Sequence, residues 1–180
     1  MRLLFESKTD LLNYITTMKE NFIESNDMKE FLIDCKLALH SSAYGKRIEK
    51  RWIKEMGYER VLHFNRGDYI DGEDYVEFKV SYESFSRYTF LHIRPWENVD
   101  RYDLFLVDEN FNYNVYEIPS EVILEFIENG MAEVCNGTKE AAKINDSKEY
   151  RFTLTVEQLN LIEPYLTVGK PKQKLHSKFW

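Results

Sequence analysis

Polar and apolar positions alternate most cleanly over the run Arg66-Gly67-Asp68-Tyr69-Ile70-Asp71-Gly72-Glu73-Asp74-Tyr75-Val76-Glu77-Phe78-Lys79-Val80. A period of two predicts a pair of strands with Tyr69, Val76, Phe78 and Val80 on one side and Arg66, Asp68, Tyr75, Glu77 and Lys79 on the other. Asp71-Gly72-Glu73-Asp74 between them is a turn signal, and a two-residue loop at Gly72-Glu73 with glycine first suits a II′ hairpin. That register sets Asp68 directly opposite Glu77, with Cβ atoms roughly 4.5–5.5 Å apart, close enough to share one divalent cation. Sliding the turn to Asp71-Gly72 moves the pairing by two residues and keeps both acids on the same face. Acidic residues and a lysine are also ordinary choices for a water-facing strand, so alternation alone leaves both readings open.

Helical spacing governs the chain before the hairpin. Leu3, Leu4, Leu11, Leu12, Tyr14, Ile15, Met18 and Phe22 form a broken helical pattern, with Ser7-Lys8-Thr9-Asp10 as its cap. A second helix is predicted from Met28 to about Leu39. A third takes Ser41-Ser42 as N-cap, runs through Met56 and stops at Gly57. The inward stripe of this third helix is Gly45, Ile48, Glu49, Trp52, Ile53 and Met56, which puts Glu49 in the middle of an apolar face. Full burial of a lone carboxylate costs roughly several kcal/mol unless it is paired, protonated or bound to metal. A salt bridge to Arg47 or Lys50, or exposure at the edge of the stripe, is the structural alternative.

Beyond the third helix, Arg60–Phe64 reads as a strand ahead of the hairpin. Tyr88–Arg94, Tyr102–Val107 and Tyr113–Ile118 follow as strands rich in aromatic and β-branched residues. Pro119-Ser120-Glu121 opens a short amphipathic helix to Glu128, closed by Asn129-Gly130. Residues 131–148 read as polar and irregular, followed by strand Tyr150–Leu154 and helix Val156–Ile162. The predicted class is α/β, a central mixed β-sheet flanked by helices with an N-terminal helical segment. A chain of 180 residues fits one domain: helices over 1–42, a core over 43–108, strands and helices over 109–168 and a basic tail over 169–180.

Composition narrows the chemistry. No window approaches the roughly eighteen apolar residues of a membrane span, and Met1–Lys8 lacks a long apolar core, so a cytoplasmic protein with no membrane partner is expected. Cys35 and Cys135 are far apart and His40, His63, His92 and His176 are scattered, which predicts reduced thiols and no zinc cage. Any metal is then held by oxygen, favouring Mg²⁺ or Mn²⁺. A formal charge of −7, from 24 basic and 31 acidic residues, argues against unaided binding to nucleic acid. Local basic groups remain at Lys46, Arg47, Lys50, Arg51 and Lys54, and in the tail at Lys170, Lys172, Lys174 and Lys178.

A helix carrying a glutamate, a strand, and a hairpin with Asp68 and Glu77-Phe78-Lys79 together resemble the PD-(D/E)xK nuclease superfamily over roughly residues 43–108. Ala43–Glu49, Gly67-Asp68 with Glu77–Ser81, Ile93–Trp96 and Gly137–Glu140 are similar to segments of type II restriction endonucleases. Glycine stands where the superfamily's name has proline. The resemblance implies a restriction-endonuclease-like core in which Asp68 and Glu77 bind Mg²⁺, Lys79 contacts the attacking water and the scissile phosphate, and Glu49 adds a carboxylate from the helix. Lys46, Lys50 and Arg94 are candidate contacts to double-stranded DNA. In its acidic balance, modest length and lack of any helix-turn-helix or zinc-finger signal, the chain resembles the small catalytic subunits of heterodimeric type IIS enzymes, which cut one strand while a larger subunit reads the site. A homodimeric enzyme with reading loops in 133–147, and a non-catalytic interaction module on the same fold, are the alternatives.

Overall fold

The computed structural model describes residues 7, 9, 10, 12, 13, 27–62, 66–135 and 148–167. The chain divides into two compact units, Met1–Ile48 and Glu49–Trp180, with the boundary inside a continuous helix.

In the first unit, Ser7 caps the helical residues that follow: its Oγ accepts the Asp10 N–H (3.1 Å) and donates to Asp10 Oδ2 (2.7 Å). Most of that predicted first helix lies outside the described residues. Helix α1 (Met28–Ala38) is capped by Asp27, whose Oδ1 accepts the Glu30 N–H at 3.0 Å, and it buries Phe31, Leu32, Cys35 and Ala38. Helix α2 (Ser41–Met56) begins one residue earlier than a serine cap requires. The His40 carbonyl takes the Ala43 and Tyr44 N–H groups at 2.9 Å each, so Ser41 and Ser42 form the first turn instead. Along α2, Ile48, Glu49, Trp52 and Ile53 are buried as the stripe predicts, while Gly45 and Met56 are only partly buried. Arg51 is buried as well, tied to Glu55 at 2.7 Å. The helix stops at Gly57, where the Tyr58 N–H turns back to the Ile53 carbonyl (3.0 Å).

The second unit holds nine strands among the described residues: β1 (Glu59–Arg60), β2 (Tyr69–Asp71), β3 (Asp74–Tyr82), β4 (Arg87–Ile93), β5 (Arg101–Val107), β6 (Tyr113–Pro119), β7 (Ala132–Val134), β8 (Tyr150–Thr155) and β9 (Leu166–Thr167). Helix α3 (Ser120–Glu128) follows β6. Six strands form a mixed sheet in the order β1-β2-β3-β5-β6-β9, in which β3 and β5 run parallel and the other pairs antiparallel. The protein is mixed α/β, with a mixed multi-stranded sheet flanked by helices.

Several sequence expectations need correcting here. β4 leaves the central sheet and pairs with β8, and β7 completes a separate three-stranded antiparallel sheet. The stretch expected to be irregular after Met131 therefore starts with a strand. The strand expected over Arg60–Phe64 shrinks to Glu59–Arg60, with 63–65 outside the described residues. The expected helix Val156–Ile162 is a 3₁₀ helix over Val156–Leu161, opened by a reciprocal cap between Thr155 and Gln158.

Each face of the large sheet is covered. Phe78, Phe105 and Tyr113 meet Trp52 of α2 on one side, with the Phe105 and Tyr113 rings stacked at 4.8 Å. On the other, Tyr102, Leu104 and Leu106 join Phe90, Ile93, Phe152, Leu154 and Ile123 in a core shared with the small sheet and α3. Because side chains alternate along a strand and pair across it, Glu77 lies beside Tyr102 and Lys79 beside Leu104 on this second, covered face.

Candidate functional site

The hairpin forms in the predicted register, with Tyr69↔Val76, Ile70↔Tyr75 and Asp71↔Asp74 enclosing the two-residue turn Gly72-Glu73. Gly72 has φ +69° and Glu73 is not in the left-handed region, the pattern of a II′ turn. The ladder breaks just before Tyr69. Asp68 donates its N–H to the carbonyl of Val76 (2.7 Å), the residue already paired with Tyr69, so the strand slips by one residue as in a β-bulge. Asp68 is therefore not squarely opposite Glu77. Its carboxylate reaches along β3 instead, and Oδ2 accepts the Phe78 N–H at 2.8 Å. Gly67 makes the slip possible: its φ is +76°, and a Cβ there would lie 2.5 Å from the Val76 carbonyl oxygen. Proline, fixed near −65°, cannot occupy this position.

Glu77 is 6% exposed, and its Oε1 accepts a hydrogen bond from Lys79 Nζ. Residues two apart on one strand share a face, so the Glu-x-Lys spacing is what brings this pair together. Burial, then Glu77, then Glu49 push the Asp68 carboxyl up to about 8, against the opposing pull of the Phe78 N–H and Lys79. Glu49 is buried and accepts from Arg60 Nη2 at 3.4 Å, a partner from β1 rather than from its own helix. The structure thus gathers Glu49, Asp68, Glu77 and Lys79 into one electrostatic group. A solvated hairpin face would show none of this burial or mutual repulsion.

Of the candidate DNA contacts, Lys50 and Lys46 are exposed, the latter in the first unit. Arg94 is committed to two carboxylates, Glu97 Oε1 at 2.9 Å and Glu149 Oε1 at 2.8 Å. Gly137–Glu140 and most of the 133–147 loop lie outside the described residues.

One acidic residue escaped the sequence reading. Glu97 is 6% exposed, and its carboxyl is raised by burial and by Glu77 while Arg94 and Lys79 oppose the shift. Its only sequence signal is the three-residue spacing from Arg94 after Pro95. Nothing in that spacing points to Glu77, because the approach depends on β3 and β5 lying side by side.

Among the described residues, no three His, Cys, Asp or Glu side chains are arranged to hold a metal ion. The donor set nevertheless suits a hard cation, since Mg²⁺ commonly takes one or two carboxylates and keeps several waters. Carboxylates that raise one another's pKa are the chemistry such a cation relieves. Among the described residues no helix is long and apolar enough to cross a membrane. In comparisons with known proteins, no family model matches the chain and no curated protein matches it.

Proposed function

We propose that the chain is a Mg²⁺-dependent DNA endonuclease on a restriction-endonuclease-like core, acting as the cleavage subunit beside a larger DNA-recognising subunit. The observation that carries this reading is the half-buried Asp68 and the buried Glu77 around Lys79, with the Asp68 carboxyl held up to about 8 by its surroundings. Structural ion pairs lower the energy of buried charge; this group concentrates negative charge instead. The helix bearing Glu49 and the strand order β2-β3-β5, with β3 and β5 parallel, support the fold part of the reading.

Phosphodiester hydrolysis needs a positioned water and neutralisation of charge developing on the phosphoryl oxygens. Asp68 and Glu77, with Glu49 nearby, would hold Mg²⁺ or Mn²⁺, which would supply that neutralisation when bound. Glu77 holds the Lys79 ammonium in a fixed place, so that it can orient the water and meet the phosphate without reorganising. Asp68 is fixed by the Phe78 N–H, which ties its carboxylate to the strand that carries Glu77 and Lys79. Glu49 contributes negative charge from the helix side, tempered by Arg60.

The acidic balance of −7 supports recognition by a partner, since phosphate contacts supply most non-specific affinity for DNA. The deciding experiment incubates the purified chain with plasmid and Mg²⁺, with and without the product of a neighbouring large restriction gene. Partner-dependent nicking of one strand, abolished by EDTA, is expected. Cutting of both strands by the lone chain would instead favour a homodimeric enzyme, and no cutting under either condition would favour the non-catalytic module.

A further inference from the structure

The turn from β3 into β4 carries the wrong residues for its shape. Ser84 and Arg87 exchange both backbone hydrogen bonds (2.9 and 3.1 Å) around a two-residue loop, Phe85-Ser86. Phe85 has φ +52° and Ser86 φ +56°, the I′ geometry that asparagine and glycine favour. A bulky side chain at positive φ is strained, and such strain persists only where the surroundings impose it. Here the Glu83 N–H donates to the Val107 carbonyl (2.8 Å) on one side of the turn, and the Val156 N–H to the Ser86 carbonyl (3.0 Å) on the other. Phe85 buries almost none of its ring in return, since 97% of its surface is exposed. Ser84, Ser86 and Arg87 beside it are exposed and polar, so the tip presents one aromatic ring among polar groups.

The outer face of the small sheet continues from this tip. Arg87 and Thr89 are exposed while Tyr88 and Phe90 are buried, and Thr89 pairs with Thr153 of β8. An open groove of about 410 Å³ lies there, its lining including Arg87, Thr89, Gly130, Glu133, Arg151 and Thr153. Arg151 is held by the exposed Glu133, and Arg87 has no ion pair among the described residues. Arg87 is level with Thr155, so Arg151 lies about 13 Å further along β8, the rise of roughly four nucleotides of one DNA strand. We propose that the Phe85 tip is a wedge that enters a base step of duplex DNA, while Arg87, Arg151 and the Thr89 and Thr153 hydroxyls contact the phosphates beside it. This rests on reading the chain as a DNA endonuclease. The core of a protein interface is depleted of charge, whereas guanidinium and hydroxyl groups suit phosphates, and a lone aromatic ring suits an opened base step. Because the fold already holds the ring outward, DNA binding does not have to order it. The hairpin also prolongs β3, which carries Glu77 and Lys79, and the Thr89 N–H on Ser81 Oγ (2.8 Å) ties β4 back to that strand. From Lys79 to Phe85 the chain spans at most about 20 Å, less than one duplex turn of about 34–36 Å.

The test follows the full chain binding a short duplex with 2-aminopurine at its flexible pyrimidine–purine steps, in EDTA so that nothing is cut and at low salt, where phosphate contacts are strongest. Binding of the native chain should raise the fluorescence, as an unstacked base does. Phe85→Asn suits the I′ turn, so it should raise the melting temperature while lowering DNA affinity at least fivefold and abolishing the fluorescence rise. A residue with a structural role alone would not move stability and binding in opposite directions. Phe85→Tyr should keep the rise. Arg87→Ala should weaken binding about tenfold and reduce the salt slope by about one. No binding by the native chain, binding without the rise, or unchanged affinity in Phe85→Asn or Arg87→Ala would overturn the inference while leaving the nuclease reading to stand on its cleavage assay. Loss of large-subunit binding in Phe85→Asn with DNA affinity intact would overturn it too, and would mark the tip as a protein contact. A Phe85-dependent rise in a chain that cuts no DNA, alone or with its partner, would uphold the DNA face and remove the nuclease reading.

Discussion

Two groups of buried charge lie on opposite faces of the same pair of strands. On the face of Phe78, Asp103 is fully buried, yet both its oxygens are met: Oδ1 by Arg101 Nε (2.9 Å), Oδ2 by the Tyr69 hydroxyl and by Arg101 Nη2 (3.4 Å). Arg101 also reaches Asp71 (2.8 Å) and Asp74 (3.2 Å), binding the hairpin turn to β5. On the face of Tyr102, Glu77 repels both Asp68 and Glu97, Glu49 of α2 adds to the repulsion on Asp68, and one Glu97 oxygen is left without a donor. Both groups hold buried carboxylates. Burial of charge alone therefore does not distinguish the two groups; uncompensated valence does.

Removing the donor from the satisfied group should have the largest effect. Arg101→Met leaves Asp103 buried without its guanidinium and should destabilise the protein by about 3–5 kcal/mol, read from urea denaturation. A loss below 1 kcal/mol would mean that the two groups do not differ as described. Glu77→Ala and Lys79→Ala should instead leave the denaturation midpoint near that of the parent while lowering DNA cleavage by at least about 100-fold. Unchanged cleavage in either variant would falsify the assigned centre.

A smaller contrast lies in the pH dependence of stability. The raised Asp68 carboxyl keeps its proton in the folded chain up to about 8, whereas the unfolded chain releases it near the model-peptide value of 3.8. Between those values the folded state binds more protons, so this residue's contribution is full below about 4 and is lost as pH rises toward 8. In chelator, Asp68→Asn should gain on the parent in melting temperature as pH climbs through that window. Parallel melting curves across the range would contradict the crowding of negative charge around Asp68. Smallest of all should be Arg60→Ala, because its guanidinium is largely exposed and its bond to Glu49 is long at 3.4 Å. We expect under about 1 kcal/mol, fading as salt is added.

The sequence disclosed whatever depended on neighbours along the chain. The hairpin register followed from one turn and a period of two, and the burial of Glu49 followed from its place on a helical stripe. What stayed hidden required distant segments to meet. β4 pairs with β8 across a gap of more than fifty residues, and no local pattern says that it abandons the central sheet. That second sheet is also why Glu77 and Lys79 are covered rather than solvated. Glu97 was invisible for the same reason, since its relation to Glu77 exists only once β3 and β5 are parallel neighbours. The one-residue slip at Asp68 left no trace except a glycine, which a turn would have explained equally well.

That glycine carries an evolutionary consequence. With φ at +76° and a carbonyl oxygen 2.5 Å from where a Cβ would stand, no single substitution at position 67 is sterically free. A lineage built on this backbone can drift to proline there only by rebuilding the strand crossing as well. Position 67 thus records the path of the backbone, not the chemistry of the carboxylate that follows it.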